Sequence, residues 1–355
     1  MYENEIRKKN PYIEFKEESS LRTFLDELES EDVWERLIPL ESVLLSTDSD
    51  GLVLKARGND YPLSEYALYT VQVRAENNAK IINRMNNEEK ADILNKSWKH
   101  LEGKIGTLLV RGGRAMAFHS GRYRALPQNV IYDRFYNFMR DEFPDAGFEK
   151  ASYSHDKTEI IINAADANSD ILKDFIDMAI SCGYSKKQLS LVRAAILLET
   201  GDLGKTATRI SPVLIDRGRI LPIGIGSSVR HRDDAKVSDI EDALSSAGVM
   251  ITQSLENITR LFSYEIEYPR GCAMNICAKY ELPLKNMQFI IDSFDEDGIF
   301  GDYTAYDIWS QLTEYLFTPE FMNRSNDRQL LIRQAFTKMT CEKNWKNYDK
   351  PLEYR

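Results

Sequence analysis

The chain has 355 residues, of which 43% are hydrophobic and 29% are charged, a composition typical of a globular protein and not of a disordered one. The formal net charge of −10 argues against a protein that coats duplex DNA without sequence preference, because such binding depends on neutralising phosphates. No apolar run approaches the roughly 20 residues of a membrane span, and the first residues lack an apolar signal core. Four cysteines without a CxxC pair indicate reduced thiols, so we expect a cytoplasmic protein that has no membrane contact.

The first predicted element is an acidic helix. Residues 14–36 are rich in carboxylates, and their apolar residues recur at helical spacing, which predicts an amphipathic helix in an N-terminal extension over residues 1–36. Two β-rich runs around residues 48–51 then predict a hairpin. The pattern from residue 63 to residue 100 is helical, and Ser64 is positioned to cap the first of these helices.

Residues 103–132 contain no Asp or Glu, although the whole chain is acidic. Gly112 and Gly113 within this segment predict a two-residue hairpin turn, because both positions of such a turn favour a positive φ. Arg111 would then face Arg114 across the turn. A basic segment in an acidic protein indicates an anionic partner at one place on the surface.

The alternation of side chains along a strand predicts which of these residues share a face. Arg111, Arg114 and Phe118 fall on one face of the hairpin, and the opposite face, predicted to be the core side, carries Leu108, Val110, Ala115 and Ala117. If Ser120 and Gly121 form a second two-residue turn, Tyr123 joins the arginine face, and Arg122 and Arg124 point the other way. A single β-bulge would reverse this assignment.

Residues 203–232 form a second basic stretch, which contains one acid, Asp216, and several glycines. Its arginines include Arg217, Arg219, Arg230 and Arg232. Between the two basic segments, residues 157–163 have the pattern of a strand, and residues 170–201 have the pattern of two helices that are separated at Gly183.

The C-terminal part of the sequence is predicted to be mainly helical. Apolar residues step by three and four from Ile240 to Phe262, and residues 284–294, 303–317 and 327–343 predict three further helices. We therefore predict an α+β fold in which antiparallel β-meander sheets pack with amphipathic helices. The predicted body covers residues 37–235 and carries the basic meander, and the helical region, residues 236–355, packs on it.

Aromatic side chains beside arginines on a β-surface are typical of proteins that bind single-stranded nucleic acid, because bases stack on the rings and guanidinium groups contact the phosphates. The candidate contact residues are Arg111, Arg114, Phe118, Arg122, Tyr123, Arg124, Arg217, Arg219, Arg230 and Arg232. The alternative is that these arginines pair with the protein's own carboxylates. No metal-ligand, phosphate-loop, dinucleotide or nucleophile motif is complete, so the sequence predicts no catalytic residue, no metal site and no cofactor.

Two segments of the sequence resemble a phage- and plasmid-associated family that is known only as a domain of unknown function. They are YPLSEYALYTVQVRAENNAKIINRM and the stretch ending in LLVRGGRAMAFHSGRYRALPQNVIYDRF, in which the family's pattern falls on Ser120, Arg122, Tyr123, Leu126 and Asn129. The segment YTAYDIWSQLTEYL is similar to a late helix of that family. The resemblance spans roughly residues 40–318 and implies a mobile-element origin and a mixed α and β architecture, but it supplies no catalytic residues.

The leading functional hypothesis is a phage- or mobile-element-encoded protein without enzymatic activity that binds nucleic acid, with single-stranded DNA favoured, in recombination, replication or protection of element DNA. It would act in the cytoplasm of the host cell. A second hypothesis is a protein-binding inhibitor of a host defence system, which would act through the acidic surface of residues 14–36. A third is a virion structural protein that self-assembles as a homo-oligomer. An enzyme whose site is not revealed by residue spacing is a further alternative.

Overall fold

A computed structural model describes residues 12–49, 51–77, 80–154, 157–201, 207–231, 235–295 and 303–352. The structure contains 48% helix and 27% strand, its sheets are antiparallel, and helices dominate the C-terminal part, which confirms the predicted α+β class. The strands are β1 Ile13–Phe15, β2 Asp32–Pro39, β3 Leu44–Asp48, β4 Gly51–Ala56, β5 Asn59–Pro62, β6 Ile105–Arg111, β7 Arg114–Ser120, β8 Gly147–Ser154, β9 Lys157–Asp166, β10 Arg193–Thr200, β11 Thr208–Asp216, β12 Arg219–Pro222, β13 Ser227–Val229, β14 Glu265–Ile266 and β15 Tyr303–Thr304. The α-helices are α1 Glu18–Glu31, α2 Glu65–Arg74, α3 Asn87–Trp98, α4 Gln128–Glu142, α5 Asp170–Ser181, α6 Lys186–Leu189, α7 Val237–Arg260, α8 Pro269–Lys279, α9 Leu284–Ile291, α10 Ala305–Leu312, α11 Pro319–Met322 and α12 Asn326–Thr340.

A seven-stranded sheet organises the larger core. Strands β1, β8, β9, β10, β11 and β12 lie side by side in that order, and β13 pairs with the other half of the β11 edge. One face of this sheet packs against α7, so that Ile196 and Leu214 of the sheet and Ile251 and Ile258 of the helix are all within one buried cluster. The predicted long helix is confirmed, and its apolar stripe is core packing.

The middle strand of that sheet corrects the sequence prediction over residues 170–201. The chain does break near Gly183, between α5 and α6, but Arg193–Thr200 is strand β10 and not part of a helix. Its residues from Ala194 to Thr200 are all buried, since β10 is paired on both sides by β9 and β11. A short apolar run that is buried on both faces has no alternating pattern, so periodicity does not separate it from a buried helix.

Two smaller sheets form the second core. The sheet of β2, β6 and β7 and the sheet of β3, β4 and β5 pack with α2 and α3 around Leu54, Val71 and Trp98. Ser64 caps α2 as predicted, because its hydroxyl accepts a hydrogen bond from the N–H of Ala67. The predicted boundary after residue 36 falls inside β2.

The acidic helix α1 packs directly on the rest of the protein. Its Leu21, Leu25 and Leu28 are buried in the larger core, and β1, which precedes it, is the first strand of the seven-stranded sheet. The helix is therefore amphipathic as predicted, and its hydrophobic side stabilises the fold by burial.

The β6–β7 hairpin has the predicted turn and a different pattern of faces. Gly112 and Gly113 have φ values of 55° and 74°, and Arg111 pairs with Arg114 across the turn. The register shifts between Leu109 and Val110, which leaves Met116 as an extra residue and places Phe118 opposite Leu108.

Phe118 therefore lies in the core, and the prediction that it shares an exposed face with the arginines is wrong. It is 1% exposed and packs edge-to-face on Trp98, with 6.0 Å between the ring centroids. Gly106 makes room for it, since a Cβ atom at that position would lie 2.5 Å from the Phe118 ring.

The C-terminal helices close the larger core around buried Trp309 and Trp345. The last described residues are held in place by Asp349, whose carboxylate accepts hydrogen bonds from the N–H groups of Glu267 and Tyr268 at 3.0 and 2.7 Å. Throughout the described ranges, no helix combines the length and the apolar character that crossing a membrane requires.

Candidate nucleic-acid interface

Arg111 is an internal structural residue. Its Nε and Nη2 atoms donate to the two carboxylate oxygens of Asp32 at 2.6 and 3.0 Å, and its Nη1 atom donates to the Tyr153 hydroxyl at 2.9 Å. The two charged side chains are only 11% and 6% exposed. The bidentate pair connects β6 to β2 within the small sheet, and the bond to Tyr153 connects it to β8 of the large sheet, so the guanidinium group is held inside the protein.

Arg217 and Arg219 are also paired within the protein. Both donate to Asp216, at 3.1 and 2.8 Å, and Arg219 lies 3.5 Å from Glu314 as well. Both arginines lie at the β11–β12 turn, at the C-terminal end of β11. This strand has nine residues, so its two ends are about 27 Å apart at roughly 3.4 Å per residue. The second basic stretch therefore does not present its arginines at one place.

Arg114 is exposed at the tip of the β6–β7 hairpin. Strand β7 has seven residues, which places Arg114 about 20 Å from Ser120, at roughly 3.4 Å per residue. The arginines of the first basic segment are thus distributed along the hairpin and are not gathered on one of its faces.

Parts of the two basic segments meet at a stack of aromatic rings. Tyr123 stacks on His119 with 3.8 Å between ring centroids and an interplanar angle of 12°. On the other side of the contact, Tyr123 lies nearly parallel to His231, with 5.7 Å between centroids and an angle of 15°. Trp34 from β2 extends the stack, at 5.9 Å from His119 and 5.5 Å from Tyr123.

Hydrogen bonds fix His231 at this contact. Its Nδ1 atom lies 3.4 Å from the Tyr123 hydroxyl, and its Nε2 atom lies 3.0 Å from the Thr208 hydroxyl, which is 3.1 Å from the Thr200 hydroxyl. His231 is 8% exposed and His119 is 6% exposed. The rings of Tyr123 and His231 are therefore used inside the protein, and Tyr123 is half-buried, so it does not offer an open face to a base.

Three exposed arginines are sequence neighbours of the residues in the Tyr123–His231 contact. Arg122 and Arg124 flank Tyr123 in sequence, and Arg230 precedes His231. We call Arg122, Arg124 and Arg230 the arginine seam. Arg232, the remaining predicted contact residue, lies outside the described residues.

The cavity beside the seam is too small for a base. It measures about 20 Å³ and is bordered by Asp32, Trp34, Tyr123 and His231, which leaves room for roughly one water molecule. The arrangement can bind an anion at its exposed rim, but this cavity, as the described residues form it, does not have room for a nucleobase.

A buried ionic cluster occupies another part of the large sheet. Glu199 lies 2.8 Å from the Lys157 ammonium and 3.3 and 3.5 Å from the guanidinium groups of Arg333 and Arg209. Burial opposes ionisation of Glu199, but the charges of Lys157 and Arg333 outweigh it and lower the pKa of this carboxyl to about 2. Arg209, another cation of the second basic stretch, is thereby paired with a carboxylate inside the protein.

Sequence reasoning missed the aromatic stack. His119 lay within the acid-free segment and His231 within the second basic stretch, but Trp34 comes from the acidic N-terminal region, 85 positions before His119 in the sequence. Only the pairing of β2 with β6 brings Trp34 to this place. Among the described residues, no group of three or more His, Cys, Asp or Glu side chains could hold a metal ion.

Comparison with known proteins adds no relative. No family model, no curated protein and no solved structure matches this chain.

Proposed function

We propose that the protein binds single-stranded nucleic acid, with DNA favoured, through the arginine seam. The observation that carries the proposal is the Tyr123–His231 contact, which joins positions 108 residues apart, one from each basic segment, and each has an exposed arginine beside it in the sequence. Guanidinium groups on a rigid surface bind phosphate oxygens through charge-assisted hydrogen bonds. Arg122 and Arg124 lie within residues 103–132, which contain no carboxylate, so a phosphate bound to them meets little repulsion from that segment.

The proposed binding depends on phosphates and not on bases. Phe118 is buried and Tyr123 is stacked on His119, so neither ring is available as a stacking platform. Three phosphate contacts to a single strand predict a slope of about −2 for log affinity against log salt concentration. The resemblance to a phage- and plasmid-associated family supports a mobile-element source, and we propose a non-enzymatic role in recombination, replication or protection of element DNA.

Fluorescence anisotropy with a labelled oligothymidine tests this proposal. We expect micromolar binding that weakens roughly 15- to 20-fold between about 50 and 200 mM salt. The triple variant Arg122→Gln, Arg124→Gln, Arg230→Gln should lose most of this affinity. A charge-matched control, Lys186→Gln, Lys187→Gln, Lys346→Gln, replaces exposed cations at other places and should change the affinity much less. Absence of binding at micromolar protein, or equal losses in the two triple variants, would overturn the proposal.

The inhibitor hypothesis has one observation in its favour. The outer side of α1 presents Asp26, Glu27 and Glu31 to solvent, and Glu17 directly before the helix is exposed as well. A partner with a basic surface would recognise such a row of carboxylates. This alternative predicts a stable complex with a protein and no affinity for the oligothymidine, so the same titration separates it from the leading proposal.

A further inference from the structure

A cleft at the C-terminal end of the fold lies far along the chain from the arginine seam. It opens between α12 and the turn that joins α8 to α9, and its volume is about 400 Å³. Pockets that bind small organic ligands typically measure about 300–1,000 Å³. The cleft is therefore of the right size for one small molecule.

The charge of this cleft is opposite to that of the protein as a whole. Its lining contains four cations, Lys279, Arg324, Arg328 and Lys338, and one carboxylate, Glu281. The formal net charge of the whole chain is −10. A concave cluster of cations on an acidic protein concentrates positive potential at one place and attracts anions there.

These cations differ from Arg111, Arg217 and Arg219, which pair with carboxylates of the protein itself. Within the described residues, no carboxylate lies at ion-pair distance from Lys279, Arg328 or Lys338, and all three side chains are exposed. Among the described residues, Arg324 is held by neutral groups: its Nε atom donates to the Tyr315 hydroxyl at 2.9 Å, and its Nη2 atom donates to Asn286 Oδ1 at 3.0 Å. Its orientation is fixed while its charge stays available to a ligand.

The floor of the cleft is apolar. Leu282, Ile332 and Ala335 are buried beneath it, and Leu331 is 54% exposed at its side. Leu331 lies between Arg328 and Lys338 on the same side of α12, because residues three, four and seven positions apart share a helix face. An occupant that matches both features has a polyanionic part for the cations and a flat organic part for the apolar floor.

We propose that this cleft binds a small organic phosphate, with a nucleotide as the chemical class that fits its size, charge and apolar floor. The phosphates would contact Arg324, Arg328, Lys338 and Lys279, and the organic part would cover Leu331 and the buried residues beneath it. This site is independent of the arginine seam, which lies in other elements of the fold.

Isothermal titration calorimetry on the full-length protein tests the proposal with three probes: ATP, inorganic pyrophosphate and adenosine. ATP should bind, pyrophosphate should bind more weakly because it leaves the apolar floor uncovered, and adenosine should bind weakest because it lacks phosphate. The double variant Arg328→Gln, Lys338→Gln changes exposed side chains, so it should fold normally and bind ATP at least about tenfold more weakly. Leu331→Ser should weaken ATP binding more than pyrophosphate binding.

The control variant Lys186→Gln, Lys187→Gln makes the same charge change on α6 and should leave the ATP affinity within about twofold. The seam triple variant should also bind ATP like the unmodified protein, so a failure of the nucleic-acid proposal and a failure of this one are told apart. The proposal is overturned if ATP does not bind at millimolar concentration, if the cleft variant binds it unchanged, or if adenosine and pyrophosphate bind as tightly as ATP.

Discussion

Replacing Arg111 by Met removes the guanidinium group that connects β6 with β2 and β8. The remaining Asp32 carboxylate is 6% exposed, so it stays buried after it has lost the Arg111 charge, and Tyr153 loses the hydrogen bond from Arg111. Breaking a buried ion pair from one side costs about 3–5 kcal/mol, because the surviving charge is left uncompensated. We therefore expect Arg111→Met to lower the free energy of unfolding by about 3 kcal/mol or more.

Urea denaturation followed by circular dichroism measures this loss. With an m-value of about 3 kcal/mol/M, a loss of about 3 kcal/mol lowers the midpoint by about 1 M urea. The control is Arg114→Met, which changes the strand partner of Arg111 on the same hairpin but at an exposed position, and should alter the free energy by no more than about 0.5 kcal/mol. The double variant Arg111→Met, Asp32→Leu removes both charges and should recover part of the loss.

The alternative role of Arg111 as a nucleic-acid contact predicts a different result. If Arg111→Met were no less stable than Arg114→Met but bound oligothymidine more weakly, the structural role argued above would be wrong. If stability falls and the oligothymidine affinity of the folded variant is retained, the ion pair with Asp32 accounts for the presence of this arginine.

Three further predictions follow from single features of the fold. The pKa of Glu199 is lowered to about 2, so the contribution of this carboxylate to stability is complete above about pH 4.5 and is lost as the pH falls towards 2. Glu199→Gln should therefore be less stable at pH 7, and its stability should change less between about pH 5 and 2. An acid titration in which the variant and the unmodified protein lose stability alike would contradict this. Cys272 and Cys277 are buried, and burial raises the pKa of the Cys277 thiol to about 12. In the native protein, a thiol reagent should therefore react fast only with the exposed Cys182 and Cys341, and the two buried cysteines should react after denaturation. Gly271→Ala would place a Cβ atom 1.9 Å from the Lys350 carbonyl oxygen and should destabilise the protein by about 1–3 kcal/mol in a thermal melt, whereas Gly147→Ala, which meets no atom within 4 Å, should have little effect; equal shifts for the two variants would refute the packing argument.

Local features of the structure could be predicted from the sequence because neighbouring residues determine them. The Gly112–Gly113 turn follows from the positive φ values that glycine adopts readily, and it fixes the pairing of Arg111 with Arg114. The helix Val237–Arg260 follows from apolar residues that recur with a period close to 3.6, and Ser64 caps α2 because its hydroxyl reaches a backbone N–H three residues away.

Features that depend on distant partners could not be predicted in this way. A bulge at Met116 turned Phe118 into the core, since one extra residue moves every later side chain to the other face of the strand. Strand β10 is a strand because β9 and β11 pair with it on both sides, although its own apolar run also suits a helix. The composition of a segment does not contain this information.

The basic segments show the same difference between what the sequence determines and what the tertiary structure determines. The sequence by itself determined that residues 103–132 carry arginines and no carboxylate, and that the chain has an α+β fold. The tertiary structure decided the surroundings of each arginine: Asp32, 79 residues away from Arg111, pairs with it inside the protein, while Arg122, Arg124 and Arg230 are exposed beside the residues of the Tyr123–His231 contact. The physical reason is that the free energy of a charge depends on its burial and on its nearest counter-charge, and both are set by residues far away in the sequence.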